Sequence, residues 1–259
     1  MFQFDCHAHV YETVTAISQA RYVPKAPAPL CAWKEKLDRQ ELAGGVIVQV
    51  SFLGTDNTEL CNALKELNPE KFAGVAVVPL DVTGQELDRL VRTGVRGVRW
   101  NLVGSSNMPN PDSVPTRKFF DMLRARGLHL ELHLEGPRLA SQLPVWADQG
   151  LDLVIDHFGL PSEPLPREDP MIKAVKSLKD RSNLFFKFSA PYRTPFNVRP
   201  HGEELLNLLK DGHVAWGSDW PHTQYEDREV ELQVETFAAH WSAVGDQTTV
   251  RKLYGLCPD

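Results

Sequence analysis

The sequence predicts an α/β protein, specifically a single (β/α)8 barrel of the TIM type over residues 1–259. Eight short apolar segments alternate with helical patterns. Consecutive segments begin roughly 23 to 44 residues apart, which leaves room for a loop, a helix and a second loop. A length of 259 residues also suits one barrel, since this class occupies about 250 residues. The alternative is an open doubly wound sheet, which normally has a glycine-rich turn where this chain has His7-Ala-His9.

The predicted strands are segments rich in Val, Ile and Phe, and most of them are too short to be core helices. Because helical patterns separate them, they are expected to run parallel, with the helices outside the sheet. Eight is the number of parallel strands that closes such a barrel. The segments are residues 2–6, 46–50, 72–78, 95–100, 128–134, 151–155, 184–188 and 214–216.

Capping and stop signals mark the predicted helices between these strands. Thr83 and Glu86 have the spacing of a capping box, and an apolar face follows until Gly94 ends the helix. A longer helix is predicted over residues 226–241, followed by a short one that ends near Tyr254. Further helical patterns end at Gly127, Gly150 and Gly212.

The hydrophobic fraction and the net charge indicate which classes of binding partner to expect. A hydrophobic fraction of 42% excludes a disordered chain. The 28 basic and 34 acidic residues give a formal net charge of −6, and no basic cluster stands out. A nucleic acid and an anionic membrane are therefore not expected as partners. The expected partner is a small molecule.

Cysteine usage and hydropathy predict the compartment. The four cysteines have no metal-binding spacing and are too few for a disulfide framework, which favours a reducing environment. No run approaches the roughly 18 apolar residues of a membrane span, and the N-terminus lacks the basic region of a signal peptide. We therefore expect a cytoplasmic protein, and the sequence leaves open whether it is a monomer or a homo-oligomer.

Unusual polar residues lie at the carboxyl ends of seven predicted strands. In a (β/α)8 barrel these ends form one rim, the face where such enzymes place their chemistry. This coincidence is the strongest functional signal in the sequence. The residues are Asp5, His7, His9, Gln49, Ser51, Arg99, Asn101, Glu131, His133, His157, Lys187, Ser189, Ser218, Asp219 and His222.

The His7-Ala-His9 pair indicates a site for a metal or a substrate oxyanion, because an H-x-H on a strand holds two imidazoles on one side. The same alternation predicts that Asp5 points with both histidines and that Cys6 faces the helices. Asp219 has a second interpretation as a helix cap. Convergence with the histidines across the barrel mouth favours a catalytic role.

Basic residues at the rim allow two interpretations. Arg99 and Arg193 form either rim ion pairs or a bidentate grip on a substrate carboxylate. For Lys187 an ion pair inside the barrel is favoured over a catalytic role.

In these residues the chain resembles the amidohydrolase superfamily, in particular the branch that contains 2-pyrone-4,6-dicarboxylate lactonases. The resemblance spans nearly the whole chain and implies a TIM-type barrel that hydrolyses a cyclic ester. The motifs that carry it are Asp5-Cys-His-Ala-His9, Val48-Gln-Val-Ser51, Gly94-Val-Arg-Gly-Val-Arg-Trp-Asn101, Leu130-Glu-Leu-His133, Val154-Ile-Asp-His-Phe-Gly159, Lys187-Phe-Ser-Ala-Pro-Tyr-Arg193, Gly217-Ser-Asp-Trp-Pro-His222 and Leu253-Tyr-Gly255.

The resemblance also implies roles for individual residues. Asp219 would be the general base that takes a proton from the attacking water. His7 and His9 would polarise the lactone carbonyl, directly or through a metal, and His157 would act beside them. The expected substrate-binding residues are Arg99, Arg193, Ser51, Asn101, His133 and His222.

Two departures from the dicarboxylate lactonase pattern bear on the substrate. Those lactonases carry an arginine where this chain has Leu160, and a second one where it has Gly104-Ser-Ser-Asn107. Fewer positive groups imply a less anionic substrate. We therefore expect a lactone with one carboxylate or with several hydroxyls, such as a sugar lactone.

The resemblance leaves two alternatives for the cofactor. One is a single zinc or manganese ion on His7, His9 and Asp219, with His133 as a fourth ligand. The other is catalysis without a metal. Two functions other than lactone hydrolysis also stay open at this point: a metal-dependent decarboxylase of the same superfamily, and a barrel that binds a small molecule without catalysis.

Overall fold

The computed structural model describes residues 4–209, 213–226 and 247–257. Its centre is one sheet of eight strands in the order of the sequence, and all seven neighbouring pairs are parallel. The strands are β1 (Phe4–Ala8), β2 (Gly44–Val48), β3 (Phe72–Ala76), β4 (Val95–Asn101), β5 (His129–His133), β6 (Leu153–Ile155), β7 (Leu184–Phe188) and β8 (Val214–Trp216).

Helices follow the strands and cover the outside of the sheet. They are α1 (Leu30–Arg39), α2 (Thr58–Lys65), α3 (Gly84–Thr93), α4 (Val114–Arg124), α5 (Gly136–Ala147), α6 (Pro170–Ser177), α7 (Arg199–Leu208) and α8 (Gln247–Tyr254). Three short 3-10 turns lie beyond the ends of strands, at Ser51–Leu53, His157–Gly159 and Pro191–Arg193. Strand, turn and helix thus alternate as the sequence predicts, and the (β/α)8 fold is confirmed.

The start and stop signals of α3 work as expected. Thr83 Oγ1 accepts a hydrogen bond from the Glu86 amide, which satisfies one of the free N–H groups in the first turn. Gly94 follows the helix with a φ of 108°, in the left-handed region that glycine adopts without a β-carbon clash.

The barrel closes between β1 and the segment directly after β8. The His9 amide donates to the Trp220 carbonyl at 2.7 Å, and the Asp219 amide donates to the His7 carbonyl at 2.8 Å. The first and last strands of the chain therefore meet at the residues that the sequence predicts to be catalytic.

Apolar side chains pack on both sides of this sheet. Outward-facing residues such as Val98, Leu132 and Ile155 pack against the helices. A second cluster fills the N-terminal end of the barrel interior with Cys6, Val46, Val154 and Ala215, and α8 covers it with Leu253 and Tyr254. The carboxyl end of the barrel interior is left to polar side chains.

Two orientations on β1 differ from the prediction. Asp5 bonds to Trp33 Nε1 of α1 and to Ser218, on the outer side of the strand, whereas Cys6 lies in the interior cluster. The pairing of β1 with β2 shifts register between Asp5 and Ala8. This irregularity inserts a residue and breaks the simple alternation, so His7 and His9 face the interior without Asp5.

Other predicted features lie partly outside the described residues. The stop at Gly212 and the helix over 226–241 fall there, apart from Glu226. Within the described part of the chain, no helix combines the length and the apolarity that crossing a bilayer requires.

Candidate active site

A cavity of about 560 Å³ opens at the carboxyl ends of the strands. Its wall includes seven residues that the sequence predicts for the site, namely His9, Ser51, Arg99, Asn101, His133, His157 and Arg193. A larger cavity of about 950 Å³ lies at the opposite end of the barrel, beside Arg124, Asp152 and Asn183. Only the first has the position where barrel enzymes place their chemistry.

Asp219 lies below this cavity and is fully buried. Its Oδ1 faces the Nε2 atoms of three imidazoles, at 3.6 Å from His7, 3.7 Å from His9 and 3.9 Å from His157. The residues come from β1 and the position directly after it, from the turn after β6 and from the segment after β8. The structure therefore brings together the four residues that the sequence predicts to be catalytic.

Two features of the backbone make this convergence possible. His157 and Asp219 have φ angles of 51° and 59°, in a region that residues with a β-carbon seldom adopt, so each side chain turns inward just after its strand ends. A β-carbon at Gly217 would lie 2.5 Å from Cβ of His7. Only glycine permits the close approach of β8 to β1 at this position.

The other oxygen of the Asp219 carboxylate is held from the turn after β7. Tyr192 donates its hydroxyl proton to Oδ2 at 2.6 Å, and Arg193 donates from Nε at 2.9 Å and from Nη2 at 2.8 Å. Burial raises the pKa of Asp219, but the adjacent Arg193 guanidinium outweighs it and holds that pKa well below the usual range. The carboxylate is thus ionised, with Oδ1 directed at the imidazoles.

Three histidines at this end of the barrel, His9, His133 and His157, are neutral imidazoles at physiological pH. Burial, with the nearby His7, lowers the pKa of His9 to about 3, and burial likewise lowers the pKa values of His133 and His157 well below the usual range. His9 Nδ1 donates to the Val48 carbonyl at 2.8 Å, which leaves a lone pair on Nε2. His157 Nδ1 bonds to Ser189 Oγ at 2.8 Å.

A buried ionic layer supports His7 from below. Lys187 Nζ lies 2.6 Å from Glu131 Oε2 and 3.3 Å from His7 Nδ1. Arg99 Nε donates to Asp156 Oδ2 at 2.8 Å, and Asp156 Oδ1 lies 3.4 Å from His7 Nδ1. These groups are almost completely buried. The predicted ion pair of Lys187 inside the barrel is therefore present.

The predicted carboxylate-gripping arginines both have acidic partners within the protein. Arg193 bonds to Asp219, while Arg99 bonds to Asp156 and donates from Nη2 to His133 Nδ1 at 2.9 Å. Both arginines still reach the cavity wall. Both arginines thus form the ion pairs that the sequence offered as one alternative, and a grip on a substrate carboxylate stays a prediction.

The remaining predicted residues lie further from Asp219. Ser51 is exposed on the cavity wall, and Asn101 accepts a hydrogen bond from Arg21. His133 contacts His157, with the two ring centroids 4.8 Å apart. The His157 ring therefore lies between His133 and Asp219. His222 Nδ1 lies 3.1 Å from the Tyr192 hydroxyl, behind the carboxylate.

Sequence reasoning missed Tyr192 and Arg21. Tyr192 stands beside Arg193 in the motif after the seventh strand, a position that was assigned no role in chemistry. Burial, with the adjacent Asp219, raises its pKa well above the usual range, so it is a permanent donor. Arg21 lies in the long loop before α1, where no strand-end pattern marks it. A role for either residue could be recognised only from contacts across the barrel mouth.

The atoms around Asp219 suit a divalent cation. His7 Nε2 and Asp219 Oδ1 are buried, and neither has a hydrogen-bond partner among the described residues. His7, His157 and Asp219 offer ligand atoms within 4.8 Å of one another, and His9 Nε2 lies 3.7 Å from Asp219 Oδ1. Neutral imidazoles with a carboxylate are the donor set that zinc prefers.

Comparison with known proteins identifies relatives along almost the entire chain. The family model described as Amidohydrolase matches residues 4–256. A 2-pyrone-4,6-dicarboxylate hydrolase of Comamonas testosteroni is 26% identical over 247 residues, which cover 86% of this chain and 78% of that protein. A 4-sulfomuconolactone hydrolase of Rhizobium radiobacter is 23% identical over 86% of this chain and 77% of its own length.

Solved structures show the same fold. A probable 2-pyrone-4,6-dicarboxylic acid hydrolase of Acinetobacter baumannii, with citric acid bound, superposes with a TM-score of 0.84 at 32% identity, and covers 99% of this chain and 100% of that one. An amidohydrolase of Burkholderia multivorans with bound zinc has a TM-score of 0.72 at 19% identity over 99% of this chain and 100% of that one, a likeness of fold alone. More distant in fold is a 5-carboxyvanillate decarboxylase of Sphingomonas paucimobilis, with a TM-score of 0.62 at 14% identity over 99% of both chains.

Proposed function

This chain belongs to the amidohydrolase family, and from that premise we propose that it hydrolyses a lactone, opening a cyclic ester by attack of water. Relatives at 23–26% identity that hydrolyse a pyrone dicarboxylate and a sulfomuconolactone support this class of reaction. The substrate is a small molecule that fits a cavity of about 560 Å³.

The proposal rests on one geometric observation, the fixed position of Asp219. One carboxylate oxygen is held by Tyr192 and Arg193, and the other faces three imidazoles below the open cavity. Ester hydrolysis needs a base beside the water and donors or positive charge where the oxyanion develops. The ionised Asp219 supplies the base, and the Arg99 and Arg193 guanidinium groups in the cavity wall supply positive charge for the oxyanion.

In the proposed reaction the water oxygen attacks the lactone carbonyl carbon while Asp219 Oδ1 accepts a water proton. The ring C–O bond then breaks, and the leaving oxygen takes the proton from Asp219 and becomes the free hydroxyl or enol. A positioned base contributes roughly 10²- to 10⁴-fold to such a step. Arg193 and Tyr192 keep the carboxylate from rotating, so Oδ1 stays aimed at the water.

His7, His9, His157 and Asp219 are the residues that would hold one divalent ion, zinc or manganese. Such an ion supplies Lewis-acid polarisation of the carbonyl and a lower pKa for a bound water. His133, the fourth ligand suggested by the sequence, is not in the group of close ligand atoms that includes Asp219, whereas His157 is. His157 therefore replaces it in the proposed ligand set.

A panel of carboxylated and neutral lactones, assayed by proton release, tests the proposed reaction. We expect ring opening of at least one lactone, and a loss of turnover of about 10³-fold in Asp219→Asn because the base is removed. Asp112→Asn, which neutralises an exposed aspartate, is the matched control and should keep wild-type turnover. Carbon dioxide release without ring opening would instead identify a decarboxylase, and full turnover by Asp219→Asn would contradict the assigned base.

Elemental analysis tests the metal separately. We expect about one equivalent of zinc or manganese per chain, a loss of activity of about tenfold or more after treatment with a chelator, and recovery when the ion is returned. His157→Asn should lower the metal content, whereas His213→Asn should not, because His213 stacks on Phe185 away from this site. Metal-free enzyme with full activity would leave carbonyl polarisation to the protein side chains.

A further inference from the structure

Arg21 lies at the barrel mouth on the side opposite Asp219. It belongs to the loop between β1 and α1, lines the cavity, and donates from Nη2 to Asn101 Oδ1 at 3.3 Å. Asn101 is the last residue of β4, and in the closed order of eight strands β4 stands across the barrel from β8. A ligand that reaches both Arg21 and Asp219 therefore spans the mouth.

The loop after β4 leaves a place for this guanidinium. A β-carbon at Gly104 would lie 3.0 Å from Arg21 Nη1, so the bare glycine lets the guanidinium approach the loop. The loop itself is anchored from α5. Glu135 accepts from the Gly104 amide at 2.7 Å, and Arg138 donates from Nη2 to the Ser105 carbonyl at 2.6 Å. Arg21 thus rests on a supported surface although its own side chain is exposed.

The charge of Arg21 sets it apart from the two other arginines of the cavity wall. Arg99 is paired with the buried Asp156 and Arg193 with the buried Asp219, at 2.8 Å in both cases. For Arg21, no carboxylate oxygen of a described residue lies within ion-pair distance, and the hydrogen bond to Asn101 involves a neutral amide. Among these three wall cations, Arg21 alone keeps a positive charge that the surrounding described residues do not balance.

We propose that Arg21 and Asn101 form the subsite for a single carboxylate on the lactone, at the end of the substrate remote from the scissile ester. The guanidinium supplies a charge-assisted, planar pair of donors, and Asn101 Nδ2 supplies a further donor beside it. This proposal rests on the proposed function. It selects a lactone with one carboxylate over a neutral polyhydroxylated lactone.

The first experiment compares two lactones that share one ring, a monocarboxylate and the corresponding carboxamide. Wild-type enzyme should have the higher kcat/KM for the carboxylate. In Arg21→Gln that preference should fall about 10- to 100-fold, the effect of a lost hydrogen bond to a charged group, while kcat/KM for the carboxamide changes less than about twofold. Arg21→Lys should recover part of the preference because it restores the charge without the planar pair of donors.

Arg167→Gln is the matched control for net charge, because its side chain is 79% exposed on the loop before α6. It should leave the preference for the carboxylate unchanged. Equal loss for both lactones in Arg21→Gln, or the same loss in Arg167→Gln, would overturn the proposed subsite. So would a wild-type enzyme that does not distinguish the two lactones.

A binding measurement separates this subsite from the hydrolytic reaction. Tetrahydrofuran-2-carboxylate and its carboxamide have a ring but no ester, and calorimetry or ligand-observed NMR measures their affinity directly. Weaker binding of the carboxylate by Arg21→Gln, with carboxamide binding unchanged, supports the subsite even if every lactone in the panel is left intact. Lactone hydrolysis with no dependence of carboxylate binding on Arg21 refutes the subsite and leaves the proposed reaction standing.

Discussion

The two sides of the barrel mouth are built differently. The Asp219 cluster consists of His7, His9, His157, Tyr192, Arg193 and Asp219, and the Arg21 patch consists of Arg21, Ser51 and Asn101. Asp219 is fully buried, and three hydrogen bonds hold one of its oxygens. In the patch, Arg21 and Ser51 are exposed, and a single hydrogen bond of 3.3 Å joins Arg21 to Asn101.

This contrast corresponds to two different physical requirements. Proton transfer depends on atoms held to within a fraction of an ångström, so its residues are locked by burial and by neighbours. Attraction between a cation and a carboxylate declines gradually with distance and tolerates movement of a long side chain. Single substitutions in the cluster are therefore expected to lower turnover strongly. Substitutions in the patch are expected to change mainly the affinity for substrate.

The largest effect is expected in the ionic layer below the cluster. Lys187→Met leaves Glu131 and Asp156 buried without their lysine, and should lower the free energy of unfolding by about 3–5 kcal/mol. Lys179→Met, at an exposed position, should change it by less than about 0.5 kcal/mol. Urea denaturation of both variants measures the difference. Equal stability of the two variants would show that the buried layer is not what supports the cluster.

Acid should destabilise the folded chain through the buried histidines and aspartates at and below the cluster. The pKa of His9 is about 3 in the folded chain against an ordinary value of 6.5, and the pKa values of His133 and His157 are shifted in the same direction. Between pH 6.5 and 3 the unfolded chain therefore binds protons that the folded chain does not, and stability falls as the pH falls. Asp156 and Asp219, whose pKa values are lowered below 3.8, extend the loss to still lower pH.

The measurement is the urea midpoint of chelator-treated enzyme from pH 8 to pH 4.5. We expect a steady decrease below about pH 6.5. His133→Gln should show a shallower decrease, because one of the groups that take up a proton on unfolding is gone. A midpoint that is constant from pH 7 to pH 5 would be incompatible with neutral buried imidazoles.

Smaller effects are expected from two tyrosine hydroxyls, one bonded to the buried Asp219 and one at the exposed edge of the cavity. Tyr192→Phe removes the 2.6 Å hydrogen bond to Asp219 and should lower kcat about tenfold, with KM nearly unchanged. Tyr22→Phe removes a hydroxyl that bonds to Glu226 beside the cavity and should change kcat less than about twofold. Steady-state kinetics on one lactone compares them. Similar losses in the two variants would remove the distinction between a locked and a loose side.

Much of this arrangement could be predicted because periodicity and strand ends are local signals. The strand β7 (Leu184–Phe188) and the strand β8 (Val214–Trp216) have the predicted limits, and polar residues at the strand ends do gather at one rim. The predicted orientations of Asp5 and Cys6 were wrong. The shift of register in β1 arises from its pairing with β2, which the alternation of residues within β1 does not show.

The amino-acid pattern alone determined the barrel and the polar groups that gather at its rim, since apolar periodicity and residue chemistry are local properties of the chain. Tertiary structure decided how those groups are paired. It joined Tyr192 and Arg193 to Asp219, and set Arg99 on Asp156 rather than leaving it free for a substrate. It also carried Arg21 across the mouth to Asn101. Such pairings depend on distances between segments far apart in sequence, which only the closed barrel defines.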